Sequence, residues 1–249
     1  MNPSKKLIES LKEKKYRYEK GMFVVEGEKS VAELLESNFE VVELYGVSNV
    51  MNRYHHLITK KRVKVFSLDQ GEMRSLSTLE DNHGLLAVAK IPELSLPHKS
   101  SEQPLPCTGI VLALDGIKDP GNLGTIMRIA DWYGIRHIVV SEDTVDTWNT
   151  KTIAASMGSF TRVIVTPTNL FAFLESTSLP VYGADMRGSN VHKIHFPNEG
   201  VLLIGSESKG ISGNLDHLIK EKVTIPKFGR AESLNAAIAT AIILDNWKR

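Results

Sequence analysis

Cysteine is all but missing from this sequence: Cys107 is the single one among 249 residues, so no disulfide can close within the chain. The N-terminal MNPSKKLIESLKEKK has no apolar core of signal-peptide length, and no run approaches the roughly 20 apolar residues of a membrane helix. We therefore expect a cytoplasmic protein of a reducing compartment with no membrane partner. An excess of charge is missing too. Lys and Arg number 30 against 29 Asp and Glu, a net +1, so no global field draws the chain to nucleic acid or lipid, and any basic surface must be local. The eight histidines lack ligand spacing such as HxxxH, only His55 and His56 being adjacent, and no metal is expected. What is present is the composition of an ordinary globular protein, 42% hydrophobic and long enough for two small domains.

The chain reads as two α/β alternations. A charged helix over Ser4 to Glu19 leads to the strand FVVEG, a helix near Ser30 to Ser37, strand VVELYGV, a helix through Tyr54 to Thr59, strand VKVFSL and strand GLLAVAKI ending at Ile91. Residues 1–91 form the first expected unit. PELSLPHKSSEQPLPC, with four prolines and almost no periodicity, reads as a linker over 92–107. Residues 108–249 form the second unit. It begins with IVLALD, apolar on both faces and so central in a parallel sheet. It continues through strands HIVVS, RVIV, VYGA, VLLIG and VTIP with intervening helices, one of them near Leu215 to Lys220. Such alternation predicts a parallel sheet covered on both faces, with ligands at the carboxyl ends of its strands.

Three loops at those ends are unlike ordinary connections. In DPGNLGTIMRIADW, Asn122 follows a Pro-Gly turn and Arg128 lies about two helical turns on; a helix cap plus a surface arginine also accounts for them. In LLIGSESKGIS, Gly205 and Gly210 have the outer spacing of a phosphate cradle, but Ile211 stands where that cradle needs lysine and Glu207 adds repulsion. A carboxylate there suits a cationic or hydroxyl-bearing partner. GNLG has the wrong spacing for a dinucleotide turn. In IPKFGRAESLNAA, Ser233 is the expected cap of the last helix and Asn235 lies in its first turn, beside amides able to receive a carboxylate. Capping alone is the alternative reading of Glu207, Ser208 and Ser233.

The last helix, SLNAAIATAIILDNW, carries small or apolar residues on every side. Such a helix is buried all round, in a large core or against another chain, and Ala239 and Ile243 are expected on the partner-facing surface.

DPGNLGTIMRIADWYGI, KTIAASMGS, LLIGSESKGIS and IPKFGRAESLNAAIATAIILDNW, in this order and spacing, resemble the four signature segments of the SpoU (TrmH-type) RNA ribose methyltransferases of the SPOUT superfamily, over nearly all of 108–249. KKYRYEKGMFVVEGEKSVAELL resembles the ribosomal-protein-like substrate-binding domain that many members carry. The resemblance implies a C-terminal trefoil-knotted parallel sheet covered by helices on both faces, a smaller N-terminal α/β RNA-binding domain, and a homodimer. It implies S-adenosylmethionine as cofactor, held through backbone at Gly205, Ile225 and Leu234 with Asn235 beside it. Asn122, Arg128, Glu207, Ser233 and Asn235 match the polar signature positions. Arg128 would stabilise the 2′-oxyanion, Asn122 would orient it or the ribose, and the others would complete the network. Ser206 stands where many members have Asn, and Lys209 where a small or apolar residue is frequent. Ribosomal RNA is the expected substrate and transfer RNA the main alternative. RNA contact by the first unit would fall to Lys12, Lys14, Lys15, Arg17 and Lys20, with Tyr16 and Tyr18 stacking on bases. The rivals are a base-nitrogen methyltransferase and a knotted RNA-binding protein without catalysis.

Overall fold

In the computed structural model, which describes residues 3–78, 84–93 and 108–249, the charged N-terminal run forms two helices rather than one. They are α1 (Pro3–Leu11) and α2 (Lys14–Lys20), the second ended by Gly21 in the left-handed region. There follow β1 (Met22–Glu26), α3 (Glu28–Glu36), β2 (Val41–Gly46), α4 (Ser48–Arg53), α5 (His55–Lys61), β3 (Lys64–Ser67), α6 (Gln70–Leu76) and β4 (Leu85–Lys90). Helix α6, absent from the sequence reading, starts at a capping box in which Asp69 and Glu72 satisfy each other's backbone amides. The strands make a four-stranded mixed sheet in the order β1-β4-β2-β3. Alternate residues serve opposite faces: Val24, Tyr45, Leu86 and Val88 pack with α1 and α6, while Phe23, Val25, Leu44 and Ala87 face the other way. The expected linker at 92–107, with Cys107, lies outside the described residues apart from Pro92 and Glu93.

The second unit runs β5 (Ile110–Asp115), α7 (Pro120–Trp132), β6 (His137–Val140), α8 (Thr150–Ser156), a short 3-10 turn (Ser159–Thr161), β7 (Ile164–Pro167), α9 (Leu170–Ser176), β8 (Val181–Asn190), β9 (Gly200–Gly205), β10 (Glu221–Thr224) and α10 (Ala236–Trp247). Its six strands are all parallel, in the order β10-β8-β9-β5-β6-β7. The doubly apolar IVLALD is central as expected, and every residue of β5 is buried. On one face Leu112, Leu114, Leu202 and Ile204 pack under α7, α8 and α10, and on the other Val111, Ala113, Val201 and Leu203 pack under α9. The helix expected near Leu215 to Lys220 is a 3-10 turn over Gly213–Leu218. Among the described residues no helix is long and apolar enough to cross a membrane.

Besides these outer clusters the two units share one core. Phe23 and Phe39 of the first meet Trp148 and Phe160 of the second, with Phe23 and Trp148 ring centres 4.5 Å apart, and one apolar cluster runs through both sheets. At its edge Arg17 is buried, with Nη2 2.6 Å from Asp146 Oδ2, and Tyr18 donates to Asp146 Oδ1 at 2.8 Å. Arg17 also donates to the carbonyls of Leu11 and Lys12 at 2.7 and 2.8 Å, so its buried charge is fully bonded. Burial first, and the Asp146 charge second, push the Tyr18 hydroxyl far above its ordinary range. Arg17 and Tyr18, expected to touch RNA, instead join the two units: their partner lies 129 and 128 residues away in sequence, a pairing that no local pattern signals.

Candidate active site

Helix α7 begins where Asp119 accepts the backbone N–H of Asn122 at 2.8 Å, with Pro120 in the first turn. Asp119 is therefore the cap, and the side chain of Asn122 is left for other work. Its Nδ2 donates to Glu207 Oε1, on the turn that follows β9. Its Oδ1 accepts from Asn235 Nδ2 at 2.8 Å. Asn235, not Ser233, caps α10: its Oδ1 accepts the N–H of Ala237 at 2.9 Å and of Ile238 at 3.3 Å. Ser233 sits two residues upstream, exposed and without a partner among the described residues. Capping, the alternative reading of these polar positions, explains the two contacts of Asn235 Oδ1 with helix amides but not its bond to Asn122, and neither side-chain contact of Asn122.

The polarity of this chain is fixed from one end. Helical amides can only donate, so Asn235 Oδ1 must accept and its Nδ2 must donate. Asn122 then accepts with oxygen and donates with nitrogen, and Glu207 ends the chain as an acceptor.

Glu207 is presented by a tight turn. Ser206 N donates to Gly210 O at 3.1 Å, Gly210 N returns the bond to Ser206 O at 2.9 Å, and Ser206 Oγ accepts from Lys209 N at 3.2 Å. Ser206 thus closes the turn itself. A Cβ on Gly205 would run into the backbone of Gly210 and Ile211, so only glycine lets the turn fold back on β9. Asp115, at the end of β5, accepts the N–H of Ser212 at 2.7 Å and fixes where the turn rejoins the fold. Asp115 and Asp119 were not singled out from the sequence. An Asp directly before Pro-Gly at a helix start was the available signal for Asp119.

Arg128 lies on α7 six residues beyond Asn122, about 9 Å along the axis and a third of a turn round. It is exposed and has no ion-pair or hydrogen-bond partner among the described residues. It shares its stripe with Thr125 and with Trp132, which is 84% exposed. Ile225 and Leu234 flank the loop between β10 and α10, and Leu234 is half exposed.

A concavity of about 290 Å³ opens beyond the ends of β5, β6 and β7, where Asp115, Glu142 and Asp143 gather. There Lys118 Nζ lies 2.6 Å from Asp143 Oδ2, and this bond, with one from Ser141, holds the Asp143 carboxyl below its usual range. No group of three His, Cys, Asp or Glu side chains poised to hold a metal occurs among the described residues.

Known proteins resemble this chain over both units. Residues 109–245 match the SpoU rRNA methylase family, and residues 2–87 match the MRM3-like substrate binding domain. A 23S rRNA (guanosine(2553)-2'-O)-methyltransferase of Bacillus subtilis is 30% identical over 93% of this chain and 90% of its own. The structure of a putative RNA methyltransferase of the TrmH family from Porphyromonas gingivalis superposes with a TM-score of 0.85 at 34% identity, covering 99% of this chain and 97% of that one. An AdoMet-bound rRNA methyltransferase from Sinorhizobium meliloti superposes with a TM-score of 0.86 at 26% identity, over 99% and 94% of the two chains.

Proposed function

The chain belongs to the SpoU rRNA methylase family, and from that premise we propose that it moves the methyl group of S-adenosylmethionine onto a ribose 2′-hydroxyl of RNA, ribosomal RNA being the substrate. The observation that carries this reading is the convergence of Asn122, Glu207 and Asn235, from three separate elements, on the helix that also carries Arg128, an exposed arginine with no partner among the described residues.

The residues present suit the cofactor. The backbone at Gly205, Ile225 and Leu234 lies in the loops that frame this cluster, the Leu234 side chain is open to an apolar edge, and Glu207 offers a carboxylate to a cationic ligand. Bound S-adenosylmethionine supplies a methyl group activated by positive sulfur. The protein must make a weak nucleophile adequate. The hydroxyl proton would leave to solvent as its oxygen takes the methyl group. Arg128, always protonated, holds the adjacent phosphate and stabilises the developing oxyanion with its fork of donors. Asn122 and Asn235 keep the ribose and Glu207 in register, and Ser233 is free to donate to the incoming ligand.

The same helices support a homodimer. The inner face of α10, with Ala236, Ala237, Thr240, Ile243, Leu244 and Trp247, is buried on its own chain, while Ile238 on the first turn of α10 is 50% exposed and Trp132 at the end of α7 is 84% exposed. Ile243, expected toward the partner, faces its own core. We place the partner on Ile238, Ala241 and Trp132, and the knot in the segment that carries β10 and α10.

The decisive experiment is transfer of radiolabelled methyl to unmodified 23S ribosomal RNA followed by mapping of 2′-O-methyl nucleotides. Label on a ribose supports the proposal, and label on a base or none at all refutes it.

A further inference from the structure

Phe228 is the most exposed large apolar side chain described, 98% accessible, and it stands in the loop that leads from β10 to Asn235. A phenylalanine ring in water forgoes most of the stabilisation its burial would bring, so its placement here calls for an occupant. Its neighbours describe that occupant. Lys227 and Arg230 are exposed and, among the described residues, neither has an ion-pair or hydrogen-bond partner. From Pro226 through Leu234 no backbone or side-chain polar group is hydrogen-bonded to any of the described residues, although the flanking residues Thr224 and Asn235 are. This is a stretch of free donors and acceptors with a bare aromatic ring between two free cations.

Two macromolecular occupants are conceivable, a second copy of the chain and RNA. Cores of protein interfaces are depleted in lysine, and the face assigned above to the partner copy, around Ile238, Ala241 and Trp132, lies on helices α7 and α10 rather than on this loop. An aromatic ring flanked by cations is instead the chemistry of unpaired nucleic acid, in which bases stack on the ring and phosphates meet the charges. We infer that Phe228 is a stacking platform for an unpaired base beside the target ribose, with Lys227 and Arg230 gripping the phosphates on either side. The inference rests on the ribosomal RNA reading and adds which residues hold the strand at the mouth of the site. Because Phe228 and Asn235 share one loop, a base stacked on the ring fixes the strand relative to the Asn122–Asn235–Glu207 chain.

The test uses the full-length protein, unmodified 23S ribosomal RNA, and three readouts: RNA affinity by filter binding, KM and kcat for methyl transfer, and S-adenosylmethionine affinity by calorimetry. Phe228→Ala should weaken RNA binding and raise the RNA KM by roughly 5- to 100-fold, the usual loss for one stacked base. Cofactor affinity and the dimeric mass should stay unchanged. Phe228→Tyr should restore binding and Phe228→Leu should not, because leucine keeps the apolar bulk and loses the ring. Lys227→Ala and Arg230→Ala should each reduce the salt dependence of log affinity by about 0.7, one single-strand phosphate contact. Wild-type behaviour of Phe228→Leu, a shift of Phe228→Ala to monomer, or a loss confined to cofactor binding would each overturn the inference. Failure of the wild-type chain to methylate ribose refutes the proposed function instead, and the binding comparison among the Phe228 variants still decides this one.

Discussion

Asn235 does two jobs with one amide group: its oxygen ends a helix and its nitrogen starts a polarised chain toward Glu207. The jobs are separable. Asp is as good a cap as Asn, but in Asn235→Asp the second carboxylate oxygen would face Asn122 Oδ1, forcing that amide to flip and present oxygen to Glu207. The expected outcome is a melting temperature within a few degrees of wild type and a kcat at least ~10-fold lower, read by thermal unfolding beside single-turnover methyl transfer. Arg128→Ala should slow the chemical step by about 10²–10³-fold with little change in cofactor affinity, and Arg128→Lys should fail substantially because an ammonium cannot reproduce the guanidinium fork. A well-folded Arg128→Ala protein with a normal single-turnover rate removes Arg128 from the mechanism. Asn122, Glu207 and Asn235 were each legible as odd polar residues at strand ends. That they meet was legible only through family resemblance, since their spacing of 85 and 113 residues carries no contact information. The capping assignment went to Ser233 because serine before an apolar run is the stronger local signal; the helix starts later because Asn235 is held from the far side by Asn122.

At the scale of elements, the alternation of apolar strands and amphipathic helices made most of the second sheet readable, and the doubly apolar β5 announced its central place. The long N-terminal helix broke in two because its period lapses at Lys12 and Glu13, and α6 went unread because QGEMRSL offers only Met73 and Leu76 as apolar residues. Helix α7 is set against α8 by Gly124, where a Cβ would strike Thr152 O and come within 2.6 Å of Ala155 Cβ. Gly124→Ala should therefore push α7 outward, costing about 1–3 kcal/mol by overpacking. It should also lower kcat through displacement of Asn122 and Arg128, measurable by denaturant unfolding and kinetics on one preparation. For α10, Ile238→Arg should yield monomers by light scattering with the secondary structure intact. Ile243→Arg, 1% exposed, should instead unfold the chain. Monomers from neither, or an unchanged dimer from the first, would move the interface elsewhere.

Across the whole molecule the shared cluster and the buried Arg17–Asp146 pair make the two units one cooperative body. Asp146→Ala leaves the Arg17 charge buried with only carbonyl partners, and breaking such a pair costs about 3–5 kcal/mol; a single unfolding transition at lower denaturant is expected rather than two. For the same reason an isolated 108–249 fragment should be less stable than the full chain, since Trp148 and Phe160 would lose their cover. Tyr18 adds a pH signature. Its folded pKa is raised, so its contribution is complete below pH 10, the ordinary tyrosine value, and is lost as pH rises above it while the unfolded chain ionises. Tyr18→Phe should flatten the fall of stability above pH 10, followed by melting curves across the alkaline range; an unchanged slope would mean that the bond to Asp146 does not govern docking. The joint also turns the protein into a caliper. On the proposed function that joint would measure the RNA before it is modified: with Arg17 buried between the units the span from the N-terminal sheet to Arg128 is a set length, and a ribose offered at another distance from a strand docked on the first unit would lie out of reach whatever its sequence.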